Sequence, residues 1–353
     1  MHRRTMAQID LAAIRDNYAL AAALAPAAAN IAVIKADAYG HGMLPVAEAL
    51  QGIAEAFAVA TVDEALQLRD AGIDASLLVL EGAMSVKSWR LAKAANLTLM
   101  LHSREQLSAV VESQVAAWVK VDTGMHRLGL PPEDLGGVLD TLRKAGVEVQ
   151  AVCTHLACAD EPDNAMTKRQ LDAFAACTRN VDLPRSIANS AGILAWPSSH
   201  ADWNRPGFML YGVSPFATDI EAARALRPAM SLFAEIIAVR DIGAGESVGY
   251  GGRWTAPQAA RIATVAVGYA DGYPRHAVNG TPVYLHGTTA PLVGTVSMDM
   301  ITIDVSHIES AAVGDRVELW GSNLPINVVA QSAGTIGYEL MTGVTRRVPR
   351  VYN

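Results

Sequence analysis

The segment AVIKADAYGHG, residues 32–42, sets Lys35 at the end of a short apolar run and then turns sharply. Burial beside apolar residues disfavours an ammonium ion, so such a lysine loses its proton more readily than a solvated one. A neutral lysine forms a Schiff base with an aldehyde, and pyridoxal 5′-phosphate (PLP) is the common protein-bound aldehyde. PLP also needs donors for its phosphate and a partner for its pyridine nitrogen. Asn189-Ser190 and Gly207 offer hydroxyl and backbone N–H donors, and Arg205 offers a guanidinium for the nitrogen. Each residue alone has an ordinary explanation. A strand-end lysine is usually a solvated rim charge, and Asp122-Thr123-Gly124 suits a plain turn. Their joint placement is what gives them weight.

The elements that must position them are short β-type runs beginning near residues 30, 56, 76, 97, 116, 147, 185 and 203. Helical patterns fill most gaps, as in VDEALQLRDAG from Val62 and PPEDLGGVLDTLRKAG from Pro131. Eight buried-type strands alternating with helices predict an α/β fold of the (β/α)8, TIM-barrel type. A doubly wound open sheet is the alternative, but no G-x-G-x-x-G follows the first strand. In such a barrel the C-terminal strand ends share one mouth. The first end gives Lys35 and Tyr39, the fourth His102, the fifth Asp122 and Arg127, and the sixth His155. The seventh gives Asn189 and Ser190, and the eighth Arg205, Gly207 and Tyr211. His102 reads as a structural histidine. Beyond about residue 225 alternating strands punctuated by Gly and Pro replace the helical pattern. The expected division is a barrel over 1–225 and a mostly-β domain over 226–353.

Composition narrows the partners. Hydrophobic residues make up 51% and charged residues 18%, which suits a protein with a large core. The net charge of −7 argues against nucleic acid and leaves room for a small-molecule substrate at a locally positive site. Cys153, Cys158 and Cys177 show no Cys-x-x-Cys spacing, so no metal site or disulfide framework is expected and a cytoplasmic location fits. The start, MHRRTMAQID, lacks an apolar signal core, and the Ala-rich stretch from Leu11 carries Arg15 and Asp16. No membrane association is expected.

Taken in order, the segments resemble the alanine racemase family over nearly the whole chain. AVIKADAYGHG resembles the family's PLP-lysine signature. KVDTGMHRLG at 120–129, THLACAD at 154–160, ANSAG at 188–192 and RPGFMLYG at 205–212 follow. VGYGGRWTA at 248–256, VGYADGYPR at 267–275, VGTVSMDMITIDV at 293–305 and RVPRVY at 347–352 continue the match. The resemblance implies interconversion of L- and D-alanine, serving peptidoglycan synthesis or alanine catabolism. It implies that Lys35 carries the cofactor and is one catalytic base, and that Tyr250 is the other. Tyr250 would serve the partner subunit's site, giving a head-to-tail homodimer with shared active sites. Tyr39, Ser190, the backbone near Gly207 and Phe208, and Tyr338 would hold the phosphate, with Asn189 beside them. Arg205 would bond the pyridine nitrogen, and His155 would link Arg205 to Tyr250. Arg127 would contact the cofactor phenolate oxygen and the substrate carboxylate, with Lys120 carbamylated to orient it. Tyr269, Met298 and Asp299 would line the substrate site. Ser297 stands where many members carry cysteine. A single-barrel PLP-binding protein would lack residues 226–353. A barrel decarboxylase of basic amino acids would share the two-domain plan but fits the VGYGG and SMD segments less well.

Overall fold

The computed structural model describes residues 4–353. The chain forms two compact units. One comprises Ile14–Ala38 with Met43–Leu226; the other comprises the chain up to Ala13, Tyr39–Gly42 and Arg227–Asn353. The first strand, β1 (Thr5–Ile9), belongs to the second of these.

The barrel unit contains β2 (Ala29–Val33), β3 (Ala56–Val59), β4 (Ser76–Val79), β5 (Thr98–Leu101), β6 (Ala116–Lys120), β7 (Val149–Cys153), β8 (Arg185–Ser186) and β9 (Trp203–Asn204). These pair in sequence order and close, with β9 parallel to β2 at Ala29↔Trp203 and Asn30↔Asn204. The eight expected runs are the eight barrel strands. β3, β4 and β5 read as mostly apolar runs because parallel strands under helices are buried on both faces; all four residues of β3 are buried. The helix Val62–Asp70 starts with a capping box in which the Thr61 and Glu64 side chains each take up a backbone N–H of the other.

Behind β2 the backbone makes a left-handed turn. Ala36, Asp37, Ala38 and Tyr39 all have φ between 52° and 54°. None is glycine, so each sits in a region that costs an L-residue roughly 1–2 kcal/mol. Local bonds hold the turn. Ala36 N–H donates to Glu64 Oε1 at 2.8 Å, Ala38 N–H to Ile34 O at 2.9 Å, and Met43 N–H to Asp37 Oδ1 at 2.7 Å.

The second unit is built on β10 (Met230–Ile242), followed by β11 (Ser247–Val248), β12 (Trp254–Thr255), β13 (Ala260–Val265), β14 (Pro282–Leu285), β15 (Thr288–Pro291), β16 (Ile301–Asp304), β17 (Arg316–Trp320) and β18 (Arg350–Tyr352). β10 pairs antiparallel with β1, β13 and β17. β1 also pairs parallel with β18, at Ala7↔Arg350. The single expected cut after residue 225 therefore needs correcting at the N-terminus. β1 finds its partners more than two hundred residues away, and no local pattern announces that. Two short helices, Ile326–Ser332 and Gly337–Gly343, also interrupt the strand pattern.

Gly268 shows how closely the loops of this unit pack. A Cβ there would lie 2.3 Å from both the Ser297 and Met298 carbonyl oxygens. Its φ of −151° suits any residue, so the constraint is purely steric. Gly268→Ala is expected to destabilise the protein by about 1–3 kcal/mol, seen as a lower Tm. An unchanged Tm would show that the two loops move apart without cost.

Candidate active site

Arg205 organises the barrel mouth. It follows β9 and is 6% exposed. Its guanidinium donates to Ser186 Oγ, to Thr154 O at 2.6 Å, to Ile187 O at 3.1 Å and to His155 Nδ1 at 3.4 Å. No carboxylate is among these partners. Its Nε–H has no hydrogen-bond partner among the described residues.

The uncompensated charge acts on the neighbouring groups. His155 follows β7, and its pKa is held well below the ordinary 6.5, first by burial and then by the charges of Arg205, Lys120, Arg127 and Lys35. Because Nδ1 accepts from Arg205, the neutral ring carries its proton on Nε2. Lys35 is pushed down by burial and then by Arg127, with Glu81 and Glu64 pulling the other way. Lys120, at the end of β6, is pushed down by burial; Arg205 and Arg127 add to this, and Cys153 and Asp122 oppose it. Neither lysine Nζ has a hydrogen-bond partner among the described residues. Asp122 accepts from the backbone N–H of Gly124 at 2.9 Å and of His126 at 3.1 Å, so it does build a turn, and Arg127 leaves that turn exposed.

Ser190 presents a hydroxyl at the barrel mouth. It is 4% exposed, and its Oγ accepts from Gly207 N–H at 3.0 Å and Met209 N–H at 3.2 Å. Two acceptances use both lone pairs, so the hydroxyl proton can only be donated outward. The Gly207 N–H, expected as a direct anion donor, is thus spent on Ser190. The Asn189 side chain is likewise spent. It caps the helix Ser190–Ala195 by accepting from Gly192 N–H at 3.0 Å, and it donates to Leu156 O at 3.3 Å. Phe208 is buried, and the Tyr211 hydroxyl donates to Val33 O at 3.0 Å. His102 is structural: it is buried, its ring Nε2 lies 3.1 Å from both Glu81 O and Gln106 Nε2, and its backbone N–H donates to Gln106 Oε1 at 2.8 Å.

The second unit gathers the remaining candidates. The Tyr39 and Tyr338 rings lie 6.2 Å apart at 45°, and burial pushes the Tyr39 phenol up to about 12. Tyr269 N–H donates to Ser297 O and Ala270 N–H to Met298 O, both at 3.0 Å, which joins the loop at Tyr269 to the loop at Ser297 and Met298. Arg347 bonds Asp299 at 2.6 Å and approaches the fully buried Asp271 at 3.8 Å, tying the same loops to the last strand segment. Tyr250 is 72% exposed; its backbone oxygen accepts from Thr295 Oγ1 at 3.2 Å. Sequence reasoning missed Ser186, Asp271, Arg347 and Glu64. Only Glu64 carried a readable signal, the Thr61-x-x-Glu64 box. Among the described residues no group of three His, Cys, Asp or Glu is placed to hold a metal ion.

Family models for the N-terminal and C-terminal domains of alanine racemase match residues 9–215 and 229–352. The alanine racemase of Alteromonas mediterranea is 48% identical, with 99% of each chain covered. The biosynthetic and catabolic alanine racemases of Pseudomonas aeruginosa are 46% and 45% identical, again over 99% of each chain. The crystal structure of the biosynthetic P. aeruginosa enzyme superposes with a TM-score of 0.96 over 99% of each chain. The Bartonella henselae alanine racemase structure with covalently bound pyridoxal phosphate is 31% identical, with a TM-score of 0.91 over 99% of each chain.

The electrostatics of the barrel mouth give a stability prediction. The unfolded chain protonates His155 near 6.5, and the folded chain does so only at lower pH. Proton uptake by the unfolded state then draws stability down as pH falls below that value, and the stability is fully present above it. The wild type is expected to lose Tm between about pH 7 and about pH 5, and His155→Gln to lose less over the same window. Equal slopes would place the acid sensitivity elsewhere.

Proposed function

The chain belongs to the alanine racemase family, and from that premise we propose how its own residues carry the reaction. It is an isomerase that interconverts L-alanine and D-alanine. We propose PLP as its cofactor, bound through Lys35. Three features fit that group: an unpartnered amine displaced toward its neutral form, a Ser190 hydroxyl able only to donate, and the unspent Arg205 Nε–H. The observation that carries the reading is the first, a reactive amine at the mouth of a barrel with no carboxylate bonded to it.

When bound, PLP supplies the conjugated electron sink that stabilises a carbanion at Cα. The protein supplies two bases and the means to keep them in the right proton states. Lys35 removes or returns the Cα proton from one side. Tyr250, contributed from a second copy of the chain in a head-to-tail homodimer, does so from the other. The exposure of Tyr250 supports that assignment, since its ring is available to another chain. A tyrosine of ordinary pKa, about 10, is a poor base at neutral pH. The His155 Nε2–H, backed by Arg205, is the donor that would favour its phenolate. Arg205 keeps its own proton, so it donates a hydrogen bond without acting as an acid.

The remaining assignments follow the same chemistry. Ser190, Tyr39 and Tyr338 hold the phosphate, with the backbone at Gly207 and Phe208 shaping that cradle and Asn189 fixing Ser190 in place. Arg127 pairs with the substrate carboxylate. Lys120 is a displaced amine close to Arg127; adding to carbon dioxide and losing one proton, it becomes a carbamate anion that orients Arg127. Tyr269, Met298 and Asp299 line the substrate site. No described helix is long and apolar enough to cross a membrane; the three free cysteines support a cytoplasmic location.

Borohydride treatment of the PLP-loaded protein is expected to fix the chromophore covalently on the Lys35 peptide. Lys35→Ala should lose both the trapping and the racemase activity. Retention of full activity in Lys35→Ala would remove Lys35 from the mechanism. Mixing inactive Lys35→Ala and Tyr250→Phe subunits should restore part of the activity, because one site of each heterodimer then holds both bases. Heterodimers without recovered activity would contradict shared sites.

A further inference from the structure

We propose that Glu64 is the positioning residue for Lys35: its carboxylate pins the left-handed turn behind the lysine to the start of the next barrel helix. The proposal rests on Lys35 being the reactive amine.

One carboxylate makes the whole connection. Oε1 accepts from Ala36 N–H at 2.8 Å, and Oε2 accepts from Ala60 N–H at 2.7 Å and Thr61 N–H at 3.3 Å. A capping box alone asks only for the bond to Thr61 N–H, with Thr61 Oγ1 accepting from Glu64 N–H at 3.3 Å in return. The bond to Ala36 is additional and reaches back to the preceding strand of the barrel. It requires a second acceptor oxygen. Glutamine has one acceptor oxygen and an NH2 group, so it would set a donor against one of these N–H groups.

The bonded N–H is well placed for a positioning role. The Ala36 N–H lies in the same peptide plane as the Lys35 carbonyl. Holding that plane fixes ψ of Lys35, and with it the direction in which the side chain leaves the backbone. The constraint matters because the next four residues all have φ near +53°, a conformation the chain abandons when nothing holds it. Glu64 is also one of two carboxylates acting on Lys35. The groups facing that amine are Glu64 and Glu81, which favour the ammonium, and Arg127, which disfavours it. His155, held neutral, is coupled to the same lysine.

The test uses the full-length chain without added PLP. Acetic anhydride labels free amines, and the extent of reaction at the Lys35 peptide is read by mass spectrometry across pH. In Glu64→Gln the midpoint of Lys35 labelling should move to lower pH, since an anion that favours the ammonium is gone. In the PLP-loaded variant kcat should fall by about tenfold to a hundredfold, with KM for alanine little changed. Ala36→Gly removes the steric cost of the first left-handed residue, so adding it to Glu64→Gln should recover most of the lost Tm. If Glu64→Gln alone does not fold, Ala36→Gly and Ala36→Gly/Glu64→Gln are compared for the same midpoint shift. A lower Tm with an unmoved Lys35 midpoint and unmoved kcat would make Glu64 a helix cap only and overturn the proposal. If Lys35→Ala keeps full activity, the reading of Lys35 fails, and this proposal fails with it.

Discussion

A guanidinium buried at the end of a parallel barrel, with no carboxylate beside it, sets the character of the mouth. Taking a charge out of water is costly unless hydrogen bonds replace its hydration. Arg205 finds them in two backbone carbonyls, a serine hydroxyl and an imidazole, all of them neutral. The cost is met, but the charge is not cancelled. His155 and Lys120 are pushed toward their neutral forms first by burial and then by charges that include Arg205, and Lys35 by burial and Arg127. A positive mouth suits an anionic cofactor and an amino-acid carboxylate, and its burial favours the neutral, nucleophilic form of Lys35.

The left-handed turn is the second constraint. A lysine proposed as a base needs its amine held in one place near Arg127 and His155. A chain leaving a strand usually relaxes through an ordinary loop. Here four residues are held at positive φ by bonds from Glu64, Ile34 and Met43. β2 is suited to bear the strain, because it is paired on both sides, by β3 and β9. The local cost is carried by a closed barrel, and what it secures is the direction of one side chain.

Much of this was legible in the sequence, for physical reasons. Most barrel strands announce themselves because burial on both faces favours apolar runs, as in β3, β4 and β5. Lys35 stands out because a charge at the end of such a run is expensive unless it is used. The roles of Asn189 and Gly207 were harder to read. Both have the right chemistry for an anion site, but the fold spends the Asn189 side chain on a helix cap and the Gly207 N–H on Ser190. Choosing between a ligand and a backbone partner takes three-dimensional geometry. β1 was hidden for a related reason. Five alternating residues near the N-terminus become a strand only because β10 and β18 return to them from the far end of the chain. Arg347 is a third case, since its bond to Asp299 spans residues far apart in sequence.

Racemisation adds a requirement that clarifies why the mouth is built this way. L- and D-alanine have equal free energy, so whatever speeds one direction speeds the other equally. The biosynthetic and catabolic relatives, at 46% and 45% identity to this chain, fit that symmetry. Each turnover leaves one base protonated and the other deprotonated, and the opposite turnover must start from that state. Neither base can rest so deep in one protonation state that the return step becomes slow. A lysine that kept its ordinary pKa would start the cycle as an ammonium and block one direction. Burial and Arg127 lower the Lys35 pKa, while Glu81 and Glu64 limit how far it falls. The charges around Lys35 thus pull its proton affinity in both directions, as suits a base that must both take and return a proton.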